Sequence, residues 1–133
     1  MKTLYTFGYL SAKAERMINE FIAVKTPLVD IRFSPTSRNW RYTQGFLQTR
    51  PGVIYVHIVE LGNELYKQAL SGDSQEPHIK LHNPETGLIR LEEVLRAHGR
   101  AAIFCACTSK KKCHRTVVAE LAKERFGVNI VHL

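Results

Sequence analysis

Eleven residues near the C-terminus, Cys105-Ala-Cys-Thr-Ser-Lys-Lys-Lys-Cys-His-Arg115, bring together three thiols, an imidazole and four cations. Loop amides leading into a helix N-terminus form a site for a phosphate or carboxylate, and Arg115 would add a two-pronged clamp. Cations at a helix start oppose its dipole by roughly 0.3–1 kcal/mol each, a penalty that a bound anion relieves. Cations also favour thiolate, which makes Cys113 a candidate reacting group beside His114. The phosphatase loop needs Arg six residues after its Cys; here Cys113 precedes Arg115 by two, Cys107 by eight and Cys105 by ten. Zinc fits poorly, because adjacent Cys and His side chains rarely converge on one tetrahedral ion, and no metal is expected. Cys107 and Cys113 form a redox pair only if the loop folds back. Cys105, inside an apolar run, also reads as a buried core thiol.

Three further segments carry chemistry. Asp30 sits in the apolar run Leu28–Phe33, where a carboxylate must be paired, with Arg32, Arg38 or Arg115 as partners. Arg32, Ser37, Arg38 and Arg115 form the expected anion-binding set. His57 lies within VIYVHIV, either as a core histidine or as a pocket residue, and Glu60 just past it is placed for general acid or base work. Gly8 and Tyr9 end the first apolar run. Tyr9, Trp40 and Tyr42 either stack on a ring or anchor their loop.

The elements that must position these groups alternate along the chain. Strands are expected at Thr3–Gly8, Leu28–Phe33, Val53–Val59, Ala101–Cys107 and Val128–Leu133, from their β-branched and aromatic content. Helices are expected at Ala12–Val24 with Ser11 as N-cap, Leu61–Leu70, Thr86–His98 before Gly99, and Arg115–Phe126 before Gly127. Residues 34–51 read as a long loop with a short helix near Thr43–Gln48, and Ser71–Glu85 as a surface loop. Such alternation predicts a three-layer α/β fold, Rossmann-like in the broad sense, with a mostly parallel sheet of about five strands and helices on both faces. The glycine fingerprint of dinucleotide binders is absent: Leu10 and Ala12 follow Gly8. In an open parallel sheet, ligands bind beyond the carboxyl ends of the strands, and all four chemical segments fall there.

Composition is consistent with this. The chain has 133 residues, 44% hydrophobic and 23% charged, the size and make-up expected of a single globular domain. No apolar run is long enough to span a membrane, and the N-terminus does not read as a secretory signal. Three clustered cysteines argue against a disulfide framework and for a reducing, cytoplasmic setting. The net charge is +7, which favours anionic partners. Removing Arg32, Arg38, Arg41, Arg50, Lys110–Lys112 and Arg115 from the 19 cations leaves 11 against 12 carboxylates. The basic excess thus belongs to two loops.

VDIRFSPTSR, YVHIVELGN and IFCACTSKKKCHRTVVAEL together resemble domain-of-unknown-function family 488. That family combines a glycine-ended strand, a V-D-x-R-x-x-P-x-S-R loop, a strand leading to E-L-G, and a strand Cys followed eight residues later by C-H-R. The resemblance carries over to Gly8, Asp30, Arg32, Pro35, Ser37, Arg38, His57, Leu61, Gly62, Cys105, Cys113, His114 and Arg115. Two positions depart from it: Tyr9 stands where a His is frequent, and Cys107 where a Glu is frequent. The resemblance implies an α/β fold with these motifs at one rim and specifies no reaction or cofactor. The leading expectation is an enzyme acting on a phosphate-bearing ligand, a nucleotide or a nucleic-acid end. The alternatives are a nucleic-acid-binding module without turnover and a cysteine-based redox or metal adaptor.

Overall fold

The computed structural model describes residues 2–65, 79–106 and 114–133. Strand β1 (Thr3–Gly8) leads to helix α1 (Ala14–Ala23) and strand β2 (Leu28–Asp30). A 3-10 turn (Trp40–Tyr42) and helix α2 (Gln44–Thr49) precede strand β3 (Tyr55–His57). A second 3-10 turn (Val59–Leu61), helix α3 (Pro84–His98), strand β4 (Arg100–Cys105), helix α4 (His114–Phe126) and strand β5 (Asn129–His132) complete the order. The sheet runs β3-β2-β4-β1-β5, and every pairing is parallel.

Alternation along each strand divides the core into two layers. Ala101, Ile103 and Cys105 of β4 join Leu88, Leu91, Leu95, Val118 and Ala122 from α3 and α4. Ala102 and Phe104 face the other way, onto Met17, Ile18 and Phe21 of α1 and Leu47 of α2. The three-layer α/β architecture and the parallel sheet of five strands follow directly.

Several expected boundaries change. Helix α1 starts at Ala14 with Lys13 at its N-cap, because Ser11 closes a turn instead: its N–H donates to Gly8 O and its oxygens accept from Lys13 and Ala14. Strand β2 stops at Asp30 rather than Phe33, since Asp30 Oδ1 accepts the Arg32 backbone N–H (3.1 Å) and turns the chain away. Strand β3 covers only Tyr55–His57, and β4 and β5 are likewise shorter than their apolar runs. Helix α3 begins earlier than Thr86, capped by Asn83 Oδ1 accepting from Thr86 N, with Pro84 at its first position. Within the expected Leu61–Leu70 helix, Leu61 closes the 3-10 turn and Asn63 bridges Leu81. The rest of it from residue 66, and the surface loop through residue 78, lie outside the described residues.

Candidate functional site

Asp30 is fully buried where β2 ends. Arg32 folds back onto it, with Nε 2.8 Å from Oδ1 and an ion pair of 2.6 Å from Nη2 to Oδ2. The Tyr55 hydroxyl donates to Oδ2 at 2.5 Å. Arg32 Nη1 donates to Thr36 O (3.1 Å), which ties down the loop after the strand. The guanidinium lies 5.1 Å from the Tyr9 ring and 5.4 Å from the Phe104 ring. Tyr9 in turn stacks on Tyr42 at 4.8 Å. Burial opposes the Arg32 charge, but the bonds and charge of Asp30 outweigh it and raise its pKa. Burial, with the Asp30 charge second, pushes the Tyr55 phenol far above its ordinary value.

Two imidazoles grip the same turn. His57 Nε2 lies 2.8 Å from Arg32 O, and His114 Nε2 lies 2.7 Å from Ile31 O. A carbonyl only accepts, so both rings carry a proton on Nε2, and a neutral ring has its lone pair on Nδ1. His114 and Arg115 open α4 and are both buried. Arg115 Nη1 approaches Cys105 Sγ at 3.4 Å, on the α3–α4 side of the sheet. Arg32 and Arg115 therefore reach the rim from opposite faces. Asp30 is held by Arg32 and Tyr55, not by Arg115.

A cleft of about 710 Å³ opens beside this knot, lined by Tyr9, Leu10, Thr36, Ser37, Arg38, Asn39 and Ala106. Ser37 Oγ accepts the Asn39 N–H (3.1 Å), and Arg38 is exposed. The carboxyl ends of β1, β2 and β4 meet here: Gly8 is in register with Cys105, and Asp30 with Phe104. Of the expected site, Tyr9, Ser37 and Arg38 line the cleft, and Gly8, Asp30, Arg32, His57, Cys105, His114 and Arg115 do not.

Glu60 is held elsewhere, in an ion pair of 2.6 Å with Arg90 of α3, which also donates to His57 O. Burial pushes the Glu60 carboxyl up, but a backbone hydrogen bond and Arg90 outweigh it and hold it below the ordinary range. Cys107 and Cys113 lie outside the described residues, as do Lys110–Lys112. Among the described residues no cluster of His, Cys, Asp or Glu could hold a metal ion. Tyr42, read as a stacking surface or a loop anchor, is an anchor: it is buried beneath Tyr9.

Sequence reading missed Tyr55, Arg90 and the role of Gly62. Tyr55 stands two residues before His57, so strand alternation puts both on one side, a signal that was present. A Cβ on Gly62 would fall 2.4 Å from Phe33 Cα and 2.6 Å from its N, so only glycine lets the two backbones touch there. The Arg90 partnership spans 30 residues and leaves no local trace.

The model of a family described as "Domain of unknown function DUF488" matches residues 15–122. The chain belongs to the DUF488 family. Within this DUF488 chain the matched span holds every residue of the knot except Gly8 and Tyr9, which precede it. Neither a curated protein nor a solved structure matched it. No helix among the described residues is long and apolar enough to cross a membrane.

Proposed function

We propose that this DUF488 protein binds a phosphate-bearing ligand, a nucleotide or a nucleic-acid end, in the cleft at the carboxyl edge, and acts on it there. One observation carries the reading. The cleft joins an exposed arginine, Arg38, and a serine-centred turn to the ends of three parallel strands, the place where open α/β sheets bind their ligands. Arg32 is not the ligand's clamp in this reading, because Asp30 and Thr36 already occupy its fork. It holds the 32–36 loop so that Ser37 and Arg38 are presented in one arrangement. His114 is not among the residues lining the cleft; its Nε2 is engaged by Ile31 O, which leaves Nδ1 as the atom through which it would accept a proton. The charge of Arg115 at the start of α4 opposes the helix dipole, which an anion nearby would offset.

The test is calorimetric titration of inorganic phosphate and nucleoside monophosphates into the protein and into Arg38→Ala. Arg38 is exposed, so the variant keeps the fold. Loss of a charge-assisted contact weakens binding by about tenfold or more. Equal affinity of the two proteins for every phosphate compound would defeat the reading.

A further inference from the structure

We infer that the ligand at this edge is a single strand of nucleic acid, with a base stacked on Trp40 and the adjoining phosphates held by Arg38 and Arg41. The inference rests on the phosphate-site reading and names its ligand class. Trp40 is 60% exposed, the most exposed large hydrophobic side chain among the described residues. Its position is built. Thr43 Oγ1 donates to Trp40 O at 2.8 Å, and Asn39 Oδ1 accepts the Arg41 N–H at 3.1 Å, which fixes the 3-10 turn. Phe46 meets the indole at 90° with centroids 4.7 Å apart. The ring is thus held in place yet left largely in water.

Cations flank it. The Arg41 guanidinium lies 5.3 Å from the indole centroid, and Arg38 lines the cleft two residues before it. A cation, an aromatic ring and a second cation therefore follow within four residues, all exposed. That combination binds single strands without sequence preference, because every base has a stacking face and every step a phosphate. Trp40 is not among the residues lining the cleft. A ring beyond the cleft suits a ligand that continues past it. Tyr42, the other loop aromatic, is buried and takes no part.

Trp40 is the chain's single tryptophan, so intrinsic fluorescence reports this position alone. The probes are a short oligothymidylate, an abasic strand of equal length, thymidine monophosphate and inorganic phosphate. Labelled strands are followed in parallel by anisotropy. The base-bearing strand should quench Trp40 and bind on the order of tenfold more tightly than the abasic one. Trp40→Ala should erase that difference, Trp40→Phe should keep part of it, and Arg38→Ala should weaken both strands. Circular dichroism confirms that each variant is folded.

Equal binding of the two strands with no quenching, while phosphate still binds in an Arg38-dependent way, would overturn the strand inference and leave the phosphate site standing. A monophosphate that quenches as strongly and binds as tightly as the strand would overturn it in favour of a free nucleotide. Absence of any Arg38-dependent phosphate binding would remove both readings.

Discussion

A carboxylate with no solvent exposure persists at the end of β2 because three groups satisfy it: the Arg32 side chain, the Arg32 backbone N–H and the Tyr55 hydroxyl. Removing one partner of such a pair strands the other charge in the core. Asp30→Ala should therefore cost about 3–5 kcal/mol by urea unfolding, whereas Asp30→Leu combined with Arg32→Met should cost far less. Tyr55→Phe removes one bond to a charged acceptor and should cost about 1.5–3 kcal/mol. Alkaline pH tests the same neighbourhood. Burial, helped by Glu15, pushes the Tyr42 phenol from 10.0 up to about 12. Above pH 10 the unfolded chain loses that proton while the folded chain keeps it, so the unfolded state binds fewer protons and stability falls. The stabilising contribution is complete below pH 10 and is lost as pH rises through about 12. Unfolding midpoints measured across this range should fall less steeply in Tyr42→Phe. An unchanged slope would show that Tyr42 ionises alike in both states.

Elements hold the site by close approach as much as by hydrogen bonds. The turn after β3 touches the β2 loop where Gly62 meets the Phe33 backbone, and α3 seats against that turn where Gly87 meets Leu61. Gly62→Ala should destabilise by about 1–3 kcal/mol, since backbone cannot yield as a flexible side chain does. Gly45 in α2 has nothing within 4 Å of an added Cβ, so Gly45→Ala should stabilise by up to about 1 kcal/mol. Thermal melts of the two variants should shift in opposite directions. At this scale the sequence was informative about existence and less so about ends. Every described helix longer than two turns and every strand coincides with an apolar run that the sequence shows. Their ends do not, because they are set by side chains such as Asp30, Ser11 and Asn83 bonding to particular amides.

At the scale of the molecule, several of the described cations of the two basic loops are already engaged or buried. Arg32 is bound to Asp30, Arg50 pairs with Glu15 and Asn19, and Arg115 is buried. Arg38 and Arg41 are left as the exposed arginines of the 34–51 loop. Two phosphate contacts on a single strand predict a slope of about −1.4 for log affinity against log salt, and Arg38→Ala should reduce it to about −0.7. Binding measured across a salt series checks this; a much steeper slope would place the ligand on a wider basic surface. Four segments that carry chemistry, their placement at strand ends and the α/β class are determined by the sequence itself, since hydrophobic period and residue order are local properties. Tertiary structure alone decided that β2 lies between β3 and β4. That placement sets Tyr55 of β3 beside Asp30, and the packing of the 34–51 loop buries Tyr42 beneath Tyr9 while leaving Trp40 in water. These outcomes depend on which surfaces meet, and contacts between distant residues are fixed only when the helices close over both faces of the sheet.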